Sequence, residues 1–298
     1  MFKGVVLSLG SSCIFAGLYF YATLLKPLNG EEIFAWRMLL TLPCVTLFML
    51  LGREWHHVVD IFQRILRRPV LIVGLLCSSA LLGIQQWLFL WAPVNGRGLQ
   101  VSLGYFLLPL IMLLVGRVLY GERLTALQKA AAMTAAVGVG HELYQVGGFS
   151  WEALLVALGF PVYFMLRRKL ATGHLGGLWF DMCLTLPVAC WFIAGQQSTL
   201  AHLAQTPRLY LLIPILAALS AAAFMAYTVA SRVLSFSLFG LLGYVEPVLM
   251  VVAALLIGEQ IQSQQWLTYI PIWIAVALLV VEGIQHLRAV VIRREIER

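Results

Sequence analysis

The sequence predicts an all-α polytopic membrane protein with ten transmembrane helices, arranged as two inverted repeats of five helices. The first observation behind this prediction is the composition, since the 298 residues are 61% hydrophobic and 11% charged, against about 45–50% and about 25% in soluble domains. Such a chain is neither a soluble globule nor disordered, because disorder requires low hydrophobicity and high charge. The second observation is the distribution of basic residues, and the third is an internal repeat.

Long apolar runs predict the individual helices. A spanning helix needs about 20 apolar residues, and the runs lie near 4–25, 33–51, 70–92, 99–119, 126–146, 151–167, 176–195, 209–231, 235–257 and 265–287. The segment 107–115 is apolar on every face, which excludes the alternating strands of an outer-membrane barrel. The first run is too long for the core of a cleavable signal peptide, so we expect it to remain as the first span.

The basic residues predict the orientation of these spans. Fifteen of the 20 Lys and Arg residues lie in the connections on one side and three on the other, the three being Lys26, Arg97 and Arg208. Cytoplasmic connections are enriched in basic residues, so we expect both termini in the cytoplasm. The formal net charge of +7 then reflects contact with membrane lipid and not with nucleic acid.

Two segments of the chain resemble each other. Residues 103–109, LGYFLLP, are followed by Gly121-Glu122, and residues 242–247, LGYVEP, are followed by Gly258-Glu259. The copies lie in the fourth and ninth spans, so we expect one five-helix repeat over 1–147 and a second over 148–298, with a short basic tail. Because five is odd, the second repeat is inverted relative to the first. Inverted repeats with a site at the membrane midplane are typical of transporters.

The segments 86–95, QWLFLWAPVN, and 102–110, SLGYFLLPL, closely resemble the third and fourth spans of the RarD branch of EamA-type drug/metabolite transporters. Glu32-Ile33 and Arg37 are similar to the start of that branch's second span. The resemblance covers essentially the whole chain. It implies ten helices around a central cavity and secondary transport, often export, of amino acids, metabolites or drugs across the bacterial inner membrane.

Glu246 is the deepest ionisable residue in the predicted spans. A charge at the bilayer centre costs about 2.5–3.5 kcal/mol on insertion scales, and no cation is expected at the same depth. We expect the carboxyl to be largely protonated until the cavity is wet, which would suit proton exchange with a substrate amine or with solvent. The alternative is a protonated side chain that only hydrogen-bonds a neighbouring helix.

Two prolines lie at matching depths in the two repeats. Pro109 cannot donate to the carbonyl of Tyr105, and Pro247 cannot donate to that of Gly243. Each therefore leaves a free carbonyl at membrane depth. We expect both prolines to act as hinges around a shared cavity.

The remaining candidates are polar or aromatic residues of the spans. Arg37 lies one turn inside the outer end of the second span, where it could hold a substrate carboxylate or pair with Glu32. The ion pair is the favoured interpretation because the position is shallow. A second group could line a cavity for a flat or amphipathic solute or form an interfacial belt, namely Gln86, Trp87, Tyr105 and Tyr244. A third group is expected to end helices or join them by hydrogen bonds, namely Arg117, Glu122, His141, Glu142, Asp181, Glu259 and Glu282.

These observations predict a secondary transporter with a small-molecule substrate and, as a further partner, protons. The alternatives are a passive channel and, less favoured, an intramembrane enzyme, whose catalytic motifs such as H-E-x-x-H or G-x-S-x-G are absent from the spans. All five cysteines lie in apolar runs without a C-x-x-C pair, so we expect no disulfide, metal or cofactor. A homodimer stays open.

Overall fold

The structure of the protein, a computed structural model, describes residues 2–94, 98–147, 150–195, 198–249 and 263–296. These residues form helices and turns, with no strand among them. The helices are α1 Phe2–Leu24, α2 Gly30–Leu51, α3 His56–Arg67, α4 Leu71–Val94, α5 Gly98–Tyr120, α6 Ala126–Val146, α7 Trp151–Lys169, α8 Leu175–Gly195, α9 Ser198–Gln205, α10 Leu209–Val233, α11 Phe236–Leu242, α12 from 245 to the last described residue of this stretch, 249, and α13 Trp266–Ile296.

The all-helical prediction is confirmed in this described part of the chain. Five helices are long and apolar enough to cross a membrane, and they are α1, α2, α4, α8 and α10. Shorter apolar segments lie in α5, across α11 and α12, and in α13. The protein is therefore an all-α, multi-pass membrane protein.

Local sequence explains where several helices begin and end. Asn29 accepts a hydrogen bond from the Glu32 backbone N–H at 2.9 Å, and the Glu32 side chain accepts one from the Asn29 backbone N–H at 2.8 Å. Thr125 and Gln128 form the same reciprocal cap at the start of α6. These contacts satisfy backbone donors that have no partner within the helix. Gly147 ends α6 with φ of 80°, a conformation that favours glycine.

Two helices in the connections lie outside the predicted spans. At 12 and 8 residues, α3 and α9 are too short to cross a bilayer. The helix α3 buries Val58 and Ile61. Arg64 on the same helix donates hydrogen bonds to the carbonyls of Leu170 and Ala171 at 2.6 and 3.2 Å. The side chain thereby holds α3 against the end of α7.

The ninth predicted span, 235–257, is not one continuous helix. The helix α11 ends at Leu242, residues 243 and 244 form a turn, and α12 begins at 245. A Cβ at Gly243 would lie 2.8 Å from the carbonyl oxygen of Gly240, so the turn requires glycine. Pro247 falls in the first turn of α12, where a missing N–H is tolerated. Gly258 and Glu259 of the repeat lie outside the described residues.

The helices pack around one large buried cluster and a smaller one. The large cluster draws mainly on α1, α2, α4, α7, α8 and α10, the smaller one on α6 and α13, and α5 and α11 contribute to both. The helix α5 contacts both α7 and α11. Its close approach to α7 depends on Gly104, where a Cβ would lie 2.7 Å from the carbonyl oxygen of Ala153. Small residues let membrane helices approach in this way.

Candidate functional site

A central cavity lies between the helices of both halves of the chain. Its empty volume is about 730 Å³, open mouth included. Half of its sixteen described lining residues are aromatic, and they come from five helices. Its polar lining is Arg37, Gln86, Tyr105, Tyr163, Tyr227, Thr228 and Glu246. The composition, apolar walls with a few convergent polar groups, is typical of small-molecule sites.

Arg37 is buried in the wall of this cavity, with 1% of its surface exposed. Its Nε donates a hydrogen bond to Ser220 Oγ at 2.9 Å, and its guanidinium lies 5.1 Å from the Phe224 ring centroid and 6.0 Å from that of Phe15. One terminal nitrogen has no hydrogen-bond partner. A buried guanidinium N–H without an acceptor is costly, so this nitrogen is available to a bound group.

The predicted ion pair between Arg37 and Glu32 is wrong. Five residues along a helix correspond to about 500° of rotation, which places the two side chains on different faces. Glu32 instead caps the start of α2 and lies 3.5 Å from His202 Nδ1 of α9. Arg37 is therefore a residue of the cavity and not of the helix end.

Glu246 lines the same cavity from the first turn of α12. The expectation that no cation lies at its depth is wrong, because Arg37 lines the same cavity. Within the described residues, no ion pair of 4.0 Å or less joins them. Arg37 and Glu246 therefore line one cavity without a direct ion pair between them.

The structure brings together four of the six predicted cavity residues, since Gln86 and Tyr105 line this cavity with Arg37 and Glu246. Trp87 lies on a separate apolar groove between α2, α4 and α8. Tyr244 is 0% exposed and belongs to the smaller buried cluster with α6 and α13. Gln86 and Trp87, which are adjacent in the chain, therefore lie in different surroundings, and so do Tyr105 and Tyr244, which match in the two similar segments.

The predicted hinges lie close to the break in the ninth span. Pro109 is inside the continuous helix α5. A Cβ at Gly243 would lie 3.8 Å from Pro109 Cγ, so Pro109 lies next to the break at 243–244, beside the cavity. Pro247 follows the break by three residues. The hinge role of either proline stays a prediction.

A buried polar network beside the cavity is larger than the sequence indicated. Asp181 Oδ2 lies 3.0 Å from Arg167 and accepts a hydrogen bond from Tyr163 Oη at 2.9 Å. Ser78 donates to the other carboxylate oxygen. Arg167 also donates to the Thr172 carbonyl at 2.6 Å. The network joins α4, α7 and α8, and the Tyr163 side chain connects it to the cavity.

One sequence signal was available for this network. Arg167 and Asp181 carry opposite charges and flank the α7–α8 connection, as partners across a hairpin would. The two residues after Arg167 are also basic, so the sequence indicates an exposed connection at a position where Arg167 is in fact buried. Asp181 was expected only to join helices, and it does so through this pair.

The other predicted polar residues join helix ends. Both carboxylate oxygens of Glu122 accept hydrogen bonds at the start of α11, from the N–H groups of Phe236 and Ser237, at 2.7 and 2.8 Å. A carboxylate at this place also suits the helix dipole. Glu142 accepts from Thr268 at 2.8 Å. At the other end of the α6–α13 pair, Glu282 accepts hydrogen bonds from the side chains of Thr125 and Gln128.

Comparison with known proteins places this chain among transporters. It is 44% identical to the chloramphenicol-sensitive protein RarD of Pseudomonas aeruginosa over 279 residues, covering 93% of each chain. It is 43% identical to an uncharacterized transporter of Pasteurella multocida, covering 97% of this chain and 99% of the other. A solved crystal structure matches with a TM-score of 0.62 at 17% identity, over 94% of this chain and 98% of that chain, which supports the fold alone. No protein-family model matches the chain.

Proposed function

This chain belongs to the RarD family of transporters, and from that premise we propose that it is a secondary transporter that exports small solutes through the central cavity. The observation that carries the proposal is the pair of opposite charges in that cavity. Ionisable groups within membrane spans are expensive and default to a functional role. Arg37 and Glu246 meet this description, because they line an aromatic cavity and one Arg37 nitrogen has no partner.

Each charge is assigned one task. Arg37 binds a negatively charged group of the solute, which a planar guanidinium holds with two parallel hydrogen bonds. The Glu246 carboxylate binds, in turn, a proton, a cationic group of the solute or the Arg37 guanidinium. A proton and a cation that compete for one carboxylate cannot both be bound, which couples their movements in opposite directions. Tyr105 and Gln86 supply the remaining polar contacts.

The proposed architecture is ten spans in two inverted repeats, 1–147 and 148–298, in the bacterial inner membrane with both termini in the cytoplasm. The order of elements supports it, since the short helices α3 and α9 each follow the second span of a half. Helix packing also supports it. The helices α2, α5 and α6 pack on their counterparts α8, α11 and α13, and α1 packs on α10 as α7 packs on α4.

Export by alternating access is favoured over a passive channel. Three aromatic side chains lie in mutual contact at one end of the cavity, with ring centroids 4.8–5.7 Å apart, namely Phe164, Tyr227 and Phe239. Such a closure must open for solute to pass. The break at 243–244 and the neighbouring Pro109 provide positions where helices could bend.

The test begins with a metabolite and drug export screen that compares cells with and without the protein. The solutes found are then measured in proteoliposomes with Arg37→Gln, Arg37→Lys and, as a matched control, Arg53→Gln, because Arg53 is exposed. We expect Arg37→Gln to reduce transport at least tenfold, Arg37→Lys to reduce it less, and Arg53→Gln to leave it unchanged. Wild-type transport by Arg37→Gln would contradict the assigned site.

A further inference from the structure

A second cavity lies next to the central one, at the end of the bundle that also carries Lys3 and His174. We name it the basic vestibule. Its empty volume is about 620 Å³. Phe164 and Thr228 line both cavities, so the contacting aromatic rings described above lie between them. The residues that define the vestibule further are Arg167, Arg168, Gly173, Ser231, Arg232 and Phe236.

The vestibule carries positive charge that no described residue neutralises through an ion pair. Arg167 is paired with Asp181 and donates its other hydrogen bonds to the Tyr163 hydroxyl and to backbone carbonyls. Arg168 and Arg232 form no ion pair of 4.0 Å or less with any described residue. None of the described lining residues has a carboxylate. Two guanidinium charges therefore remain at this mouth.

Two carboxylates beside vestibule-lining residues, those of Glu122 and Glu54, already have other partners. Both oxygens of Glu122 accept hydrogen bonds from the first N–H groups of α11. Glu54, which lines a neighbouring cavity together with Arg232, lies 3.0 Å from His57 Nε2. Both carboxylates therefore already have partners within the fold, and neither lines the vestibule.

The guanidinium of Arg168 is held in place by two aromatic rings. It lies 4.7 Å from the centroid of Tyr120 and 5.0 Å from that of Phe236. Stacking uses the faces of a guanidinium and leaves its N–H edges free. Those edges match the two oxygens of a carboxylate or phosphate. Because the side chain is already ordered, binding costs less conformational entropy than it would at a free arginine.

We propose that the basic vestibule is an anion-binding site that receives the carboxylate or phosphate group of the transported solute before it reaches Arg37. The proposal rests on the proposed function and names its substrate class, solutes that carry such a group. A cleft with one sign of charge and low-dielectric walls concentrates counter-ions. The unpartnered Arg37 nitrogen in the adjoining cavity is then the next hydrogen-bond donor to the same group.

The test measures the protection of individual arginines and requires no transport. The full-length protein in nanodiscs of neutral phosphatidylcholine is treated with phenylglyoxal, which modifies accessible arginines, and each site is quantified by mass spectrometry. Inorganic phosphate and benzoate are the probes, and glycerol is the neutral control. We expect both anions to slow modification of Arg168 and Arg232 at least threefold. Arg53, which is also exposed, should show no protection.

A second set of nanodiscs distinguishes the two sources of an anionic group. These contain phosphatidylglycerol and no added phosphate. Protection by the lipid alone, with none from inorganic phosphate or benzoate in neutral nanodiscs, would overturn the proposal and assign the arginines to a headgroup. Equal modification of Arg168, Arg232 and Arg53 under all conditions would overturn it as well.

Transport kinetics separate this proposal from the proposed function. With any solute from the export screen, we expect Arg168→Gln and Arg232→Gln to raise KM about three- to tenfold with kcat unchanged, and Arg168→Lys to raise it less. Unchanged KM in both Gln variants would refute capture at the vestibule. If no solute is transported at all but the anions protect, the proposed function fails and the anion site stands.

Discussion

The shared cavity of Arg37 and Glu246 predicts that these two residues are energetically coupled. The perturbation is a double-mutant cycle of Arg37→Gln, Glu246→Gln and the double variant. Each single variant leaves one charge in the cavity without its opposite, whereas the double variant leaves none. A buried charge without a partner is strongly destabilising. We therefore expect the double variant to be more stable than the sum of the two single effects implies.

The size of the coupling follows from the geometry. Two unit charges 4 Å apart attract each other by about 4 kcal/mol at an effective dielectric constant of about 20. The two groups lie on one cavity without an ion pair of 4.0 Å or less, so their attraction is weaker than this limit. We expect a coupling free energy of about 1–3 kcal/mol, or about 5- to 150-fold in an equilibrium constant.

The assay is chemical unfolding of each variant in detergent micelles, followed by circular dichroism. A parallel cycle of Arg53→Gln with Glu246→Gln is the control, because Arg53 is exposed and lies outside the cavity. Distant sites are additive within about 0.5 kcal/mol, and we expect this of the control. Additivity of the same quality in the Arg37 and Glu246 cycle would refute the reasoning that their charges interact.

Four further outcomes are expected. Glu246→Gln should insert and bind solute but lose accumulation driven by a pH gradient, and wild-type gradient dependence would exclude a proton carrier. Pro109→Ala and Pro247→Ala should insert normally and slow transport several-fold, because an added N–H restores a helix hydrogen bond at 109 and the lost ring removes the fixed φ that orders the first turn of α12 at 247; unchanged rates in both would remove the hinge role. A cysteine in place of Arg298 should resist a membrane-impermeant reagent in intact cells, and its labelling would reverse the predicted orientation. Burial and neighbouring cations lower the pKa of His174 from 6.5 to about 4. Because the unfolded chain takes up the proton first, the free energy of unfolding should fall by about 1 kcal/mol, after allowance for solvent screening, as the pH drops from about 6.5 to about 4. Thermal unfolding of His174→Gln should show a smaller loss of stability over this range, and a loss equal to that of the wild type would contradict the prediction.

The sequence predicts several residues of the candidate site by their type, but it does not predict how they are arranged in space. Glu246 was found because a carboxyl within an apolar run is rare and expensive. The distance of Arg37 from the end of its apolar run indicates a shallow position, and this favours Glu32, the wrong partner. In the structure it is 1% exposed and contacts Ser220, which lies 183 residues away in the chain. No local pattern encodes a contact over that separation.

The sequence by itself determined the all-helical membrane class, the position of each long helix and the transporter family. These properties depend on local quantities, namely the length of apolar runs, the residues that cap helices and the identity of short segments, all of which are read along the chain. Only the tertiary structure decided that Gln86 faces the cavity while Trp87 faces a groove, that Tyr244 is buried away from both, and that the ninth span breaks at 243–244. Those outcomes depend on the rotation and close packing of helices against one another, and in an apolar run the hydrophobic pattern does not define which face turns inward.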